Sequence, residues 1–78
     1  MPIKFSDHAK KELKIRGISQ KRAIETVNNP EETLPSYKIR RLRQRQFGDK
    51  ILRVITITEG SRITIVTAYY IRRKKYEN

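Results

Sequence analysis

The chain contains no cysteine, which removes disulfides and thiolate metal sites. Its only histidine is His8, too few for a metal cluster built on imidazoles, and its three glycines are dispersed, so no phosphate-cradling glycine loop is present. No Ser-His-Asp set can be picked out either. No apolar run approaches the roughly 20 residues that cross a bilayer. With no hydrophobic leader after Met1, a cytoplasmic location is expected and no membrane partner. Acidic residues are also scarce: 8 Asp plus Glu stand against 19 Lys plus Arg, a formal charge of +11 in only 78 residues.

A charge of that size opposes folding unless a polyanion relieves it. Solubility of a small domain needs a net charge of only about 2 to 8. The excess therefore points to an anionic partner, and a pI of about 10.5 points to nucleic acid. Five of the acids fall at Asp7, Glu12, Glu25, Glu31 and Glu32, whereas Lys38 to Arg45 has none, so the second half carries the basic surface. The length predicts a single domain spanning 1–78, with a thin core that buries only about 60% of the unfolded surface. Residues 73–78 form a basic end with the character of a flexible tail.

Ser6 is an N-cap, Asp7 complements the helix dipole, and Ala9 and Leu13 make an inward stripe, which predicts a helix over residues 6–15. Gly17 stops it, Ile18 turns back as an apolar anchor, and Ser19 caps a second helix with Ala23, Ile24 and Val27 inward, ending at Asn28-Asn29-Pro30. From Pro35 the pattern becomes β-branched and alternating. Turns at Phe47-Gly48-Asp49-Lys50 and Glu59-Gly60-Ser61 bound antiparallel strands near 37–46, 50–58 and 62–72. The expected fold is α+β, two N-terminal helices packed on an antiparallel sheet of three or four strands. Strict alternation in the last strand sends Ile63, Ile65, Thr67, Tyr69 and Ile71 toward the helices, and Tyr70 with Arg72 to the open face.

Several residues stand out chemically. His8 lies near the start of the first helix, where the dipole disfavours imidazolium and leaves a ring able to accept a proton. His8, Glu12 and Arg16 recur at four-residue intervals along one side of that helix. Arg41, Arg43 and Arg45 alternate with Leu42 and Gln44, which aligns three guanidinium groups about 6.6 Å apart, a spacing comparable with RNA phosphates. Tyr70 beside Arg72 suits stacking on an unpaired base.

Phe5-Ser6-Asp7-His8-Ala9 and Arg16-Gly17-Ile18-Ser19 resemble the F-S-x-H-A and R-G-I-S motifs of small prokaryotic proteins related to the RelE and BrnT toxins. Asn29-Pro30, Leu52-Arg53-Val54 and Ile65-Val66-Thr67-Ala68-Tyr69 extend the likeness along nearly the whole chain. The resemblance implies a RelE-like fold and a metal-independent endoribonuclease of the messenger-RNA interferase type, needing no cofactor. In such an enzyme the ribose 2′-hydroxyl attacks the adjacent phosphate. RNA, with ribosome-bound message as one form, and an acidic antitoxin are the implied partners. His8, Arg16, Tyr70 and Arg72 become the catalytic candidates, and Arg41, Arg43, Arg45, Arg53, Arg73 and Lys74 the RNA-binding ones. Many of those relatives carry arginine where this chain has Glu12. A non-enzymatic RNA- or ribosome-binding module on the same scaffold is the alternative function. Oligomeric state is not decided by any of these signals.

Overall fold

The structure is a computed structural model that describes residues 2–36 and 39–72. The elements run β1 (Ile3–Phe5), α1 (Asp7–Arg16), α2 (Gln20–Asn28), β2 (Glu32–Pro35), β3 (Arg40–Phe47), β4 (Lys50–Glu59) and β5 (Arg62–Arg72). The helix signals read from the sequence hold. The Ser6 hydroxyl accepts from the Ala9 N–H, and the Ser19 hydroxyl from that of Arg22, both at 3.0 Å. Gly17 takes a left-handed φ of 67°, and the Ile18 N–H bonds back to the Leu13 carbonyl at 2.9 Å. This wraps the last turn of α1 and buries Ile18 as its apolar anchor.

The sheet corrects the expected fold class. It is not an antiparallel sheet of three or four strands, RelE-like as the resemblance implied. It is a five-stranded mixed sheet in the order β1-β5-β4-β3-β2. β1 pairs parallel to β5, Ile3 with Ile63 through Phe5 with Ile65, and β2 pairs antiparallel to β3. Both additional strands are edges of three and four residues, too short for a two-residue period to register in sequence. β2 also ends in Pro35, which an edge strand tolerates because one side needs no ladder donor. The expected first strand, 37–46, becomes 40–47; Tyr37 and Lys38 lie outside the described residues, as does the expected tail 73–78.

A second correction concerns β5. Its register with β4 runs Ile65 opposite Thr56 and then Thr67 opposite Ile55, so Val66 is an extra, bulged residue. The bulge reverses the parity halfway along the strand. Ile63 and Ile65 face the helices as expected, but beyond Val66 it is Ala68 and Tyr70 that touch the core. Thr67, Tyr69 and Ile71 lie opposite Ile55, Arg53 and Ile51 on the other face. Both helices cover one face, where Ala9, Leu13, Ala23 and Val27 pack on Leu52, Val54, Ile65 and Ala68. Three alanines at 0% exposure, one on each helix and one on β5, let the backbones approach closely.

Candidate nucleic-acid interface

At the end of the helix-covered face, three segments bring aromatic rings and cations together. Ser19 fixes the first turn of α2 and thereby holds Arg22 above the sheet. Its guanidinium lies 4.9 Å from the centroid of the Phe47 ring, and its Nη1 donates to the Tyr70 hydroxyl at 3.2 Å. Phe47 and Lys50 pair across the two-residue turn Gly48-Asp49, where Gly48 takes φ 66°. The Gln46 side-chain amide donates to the Gly48 carbonyl at 2.8 Å and braces this turn. Lys50 Nζ stands 5.6 Å from the Tyr70 ring centroid, and Lys50 pairs with Arg72 on the other side. The Phe47 and Tyr70 rings pack on the core by one part and remain half-exposed. The guanidinium of Arg22 over Phe47 and the exposed parts of the two rings, with Lys50 and Arg72 beside them, form a platform on which an unpaired base can stack while its phosphates are neutralised.

The arginine row of β3 faces the same side but is engaged differently. Arg43 pairs with Val54 and Arg45 with Leu52, so both point toward α2. Arg43 Nη1 donates to the Val27 carbonyl at 3.2 Å and Arg45 Nη1 to that of Asn29 at 2.8 Å. Arg45 Nε also meets Glu25 at 3.4 Å. These two guanidinium groups cap the carbonyl end of α2, where the helix dipole favours cations. Arg41 is exposed and lines a shallow groove with Ile39, Arg43 and Thr58.

The four-residue ladder on α1 forms as its spacing suggests. His8 Nε2 lies 3.7 Å from Glu12, and Glu12 lies 2.9 Å from Arg16. The His8 side chain is 69% exposed. Arg16 reaches across to β5, donating to the Ala68 carbonyl at 2.8 Å and the Thr67 hydroxyl at 3.4 Å. β1 stops at the partner of Ile65, so the edge of β5 is unpaired by any described strand from here on, and Arg16 covers one of its carbonyls. Arg53 is on the opposite face of the sheet, where its Nε donates to Gln44 at 3.1 Å. The expected set is thus divided: Tyr70 and Arg72 share the platform, Arg53 lies behind the sheet, and Arg73 and Lys74 lie outside the described residues.

The family described as "domain of unknown function (DUF4258)" matches residues 5–70. The chain belongs to that family. No curated protein and no solved structure matches it. The DUF4258 match takes in His8, Arg16, Arg22, Phe47, Lys50 and Tyr70, and Arg72 falls just beyond it.

Sequence reasoning missed Arg22, Phe47 and Lys50 as members of this site. The Ser19 cap and the Gly48-Asp49 turn were legible, and they place Arg22 in a first helical turn and Phe47 opposite Lys50. Nothing local shows that these converge with Tyr70, since that depends on the bulge at Val66. The two capping arginines allow a sharp test of role. Arg43→Ala is expected to lower stability by about 1–2 kcal/mol in urea unfolding, the value of a charge-assisted bond at a helix end. Its effect on RNA affinity should stay within about threefold. A residue that instead held phosphate would reduce the salt slope of binding by about 1 and leave stability alone.

Proposed function

We propose that this DUF4258 protein binds single-stranded RNA in the cytoplasm, on the platform made by Arg22, Phe47, Lys50, Tyr70 and Arg72. The observation that carries the reading is the contact of Arg22 with the Phe47 ring and the Tyr70 hydroxyl, joining stacking surface and positive charge in one place. The formal charge of +11 supplies the long-range attraction. RNA within or near the ribosome is a suitable ligand, because its unpaired loops expose bases to stacking.

A second reading, a toxin-type endoribonuclease neutralised by an acidic antitoxin, is favoured by one observation: Glu12 joins His8 to Arg16, and Arg16 in turn reaches β5. An acid so placed orients an imidazole for proton transfer. Against it, the Arg16 guanidinium is already engaged by Glu12, a backbone carbonyl and a hydroxyl, which leaves it less able to meet a phosphate.

The two readings separate when a mixed single-stranded RNA pool is incubated with the protein in EDTA, with and without ribosomes, beside a His8→Ala variant. The binding reading expects intact RNA, with an affinity that falls about linearly in logarithm as salt rises. Cleavage by the parent and not by His8→Ala would replace it with the ribonuclease. Neither binding nor cleavage would sink both.

A further inference from the structure

The helices do not cover the whole of the sheet face they pack on. The nine residues of α2 run about 14 Å, at about 1.5 Å per residue, whereas the eight of β3 run about 26 Å, at about 3.3 Å per residue. Arg22 at one end of α2 lies over Phe47, and Val27 near the other end meets Arg43, so the helix covers β3 between these two and Arg41 lies beyond it. Thr33 and Pro35 on β2, Arg41 on β3 and Thr58 on β4 face the helix side, by their pairing with Arg43, Arg41, Thr56 and Ile63 in turn. All four are exposed.

The groove of Ile39, Arg41, Arg43 and Thr58 lies in this uncovered part and measures about 530 Å³. Its surfaces match the parts of a nucleotide. The Arg41 guanidinium has no hydrogen bond or ion pair among the described residues, so its fork is available to two oxygens of one phosphate. Thr58 adds a hydroxyl that can donate to the same phosphate or to a ribose 2′-hydroxyl. Ile39, 65% exposed, gives an apolar wall for a sugar or base. Arg43 acts differently: the Val27 carbonyl holds its guanidinium and its Nε is buried, so it contributes charge rather than a contact. Glu32 and Glu59, the acids next to the groove along β2 and β4, lie on the other face, where they pair with Gln44 and Arg62.

We infer that the RNA strand stacked on the platform also reaches this groove, where Arg41 holds one of its backbone phosphates, so that the ligand is a strand of several nucleotides and not a single base. The inference rests on the RNA reading above. Phe47 and Arg41 both face the helix side of β3, six positions apart, which is about 20 Å. A stacked strand rises about 3.4 Å per nucleotide, and even at roughly twice that, unstacked, three steps are needed. The path alongside α2 adds to the distance. A dinucleotide therefore occupies one place only. A decanucleotide occupies both, and its second contact forms at the high local concentration that the first one creates. RNA is favoured over an acidic protein segment because the groove opens on the same side of the sheet as the platform rings, at a distance that one strand can bridge.

Fluorescence anisotropy of a labelled uridine dinucleotide and decanucleotide, with the parent, Arg41→Ala and Arg40→Ala, tests it. Arg40 is the matched control: it is exposed, it adjoins Arg41 on β3, and its pairing with Ile57 sets it on the other face. Each variant loses one charge, so the general attraction falls equally in both. For the decanucleotide, Arg41→Ala should cost about three- to tenfold more affinity than Arg40→Ala and lower the salt slope by about 1. For the dinucleotide the two variants should match. Thr58→Glu, which sets an acid in the groove and leaves Arg41 in place, should weaken the decanucleotide in the same way, and all three variants should keep the parent's far-UV circular dichroism spectrum. Equal losses for Arg41→Ala and Arg40→Ala on the decanucleotide would overturn the inference and leave the RNA reading standing. So would an oligoglutamate peptide that binds the parent and not Arg41→Ala while the decanucleotide binds both alike, since the groove would then belong to an acidic protein segment. A parent that binds neither oligonucleotide sinks the RNA reading itself.

Discussion

Replacing Leu52 with alanine is expected to lower the unfolding free energy by about 3 kcal/mol and the midpoint temperature by roughly 12–24 °C. Leu52 is fully buried on the central strand β4, directly between Arg45 on β3 and Tyr70 on β5. It belongs to the cluster that joins Ala9, Leu13, Ala23 and Val27 of the helices to the sheet. Truncation loses the transfer energy of the side chain and leaves a cavity, because alanines already hold the helices at close range and little can collapse inward. A domain of this length falls in the lower part of the usual range of about 5–15 kcal/mol, so one such cavity removes a large share. Thermal and urea unfolding followed by circular dichroism give the measurement. Ile15→Ala is the control: the side chain is 68% exposed and should change stability by no more than about 0.5 kcal/mol.

Tyr70→Ala is expected to weaken binding of a short single-stranded RNA by about 5- to 150-fold, the range that loss of one base stack produces. Arg22→Ala should also weaken it, by removing a cation and the bond that steadies the tyrosine hydroxyl. Because the two side chains touch, the double variant should lose less than the product of the single losses. Tyr70→Phe keeps the ring and its packing while deleting the hydroxyl, and should retain most of the affinity. Arg62→Ala removes an exposed charge from the far end of β5 on the opposite face, and should cost only a small share of the general attraction. Fluorescence anisotropy at two salt concentrations separates these effects. Equal losses for Arg22→Ala and Arg62→Ala would show that charge alone, and not the platform, holds the RNA.

Much of the local structure was legible residue by residue. Ser6, Gly17 and Ser19 mark helix ends through hydrogen bonds and backbone angles that depend on immediate neighbours. Gly48 and Gly60, both with positive φ, mark the two tight turns of the β3–β4–β5 meander for the same reason. Helical period alone placed Ala9, Leu13, Ala23 and Val27 in the core, whereas Ile24, expected with them, is only half-buried and outside the core cluster. In β4, simple alternation separates Leu52 and Val54 on the helix side from Ile51, Arg53, Ile55 and Ile57 on the other.

The candidate site was less legible, since it depends on which face a residue reaches. Tyr70 was assigned to the open face by counting from Ile63, and a single extra residue, Val66, made the count wrong by one. The arginines of β3 read as a phosphate-gripping row because three of them alternate in sequence. That Arg43 and Arg45 meet the carbonyl end of α2 depends on where a helix some sixteen residues earlier comes to rest.

The sequence by itself determined the charge, both helices with their caps, the three long strands and their turns, since each depends on contacts within a few residues. Only the tertiary structure decided the short parallel β1 and edge β2, whose few residues acquire strand geometry by pairing with longer partners. It alone also decided the face of each β5 side chain beyond Val66. A bulge is the outcome of matching two strands, and neither strand records it alone.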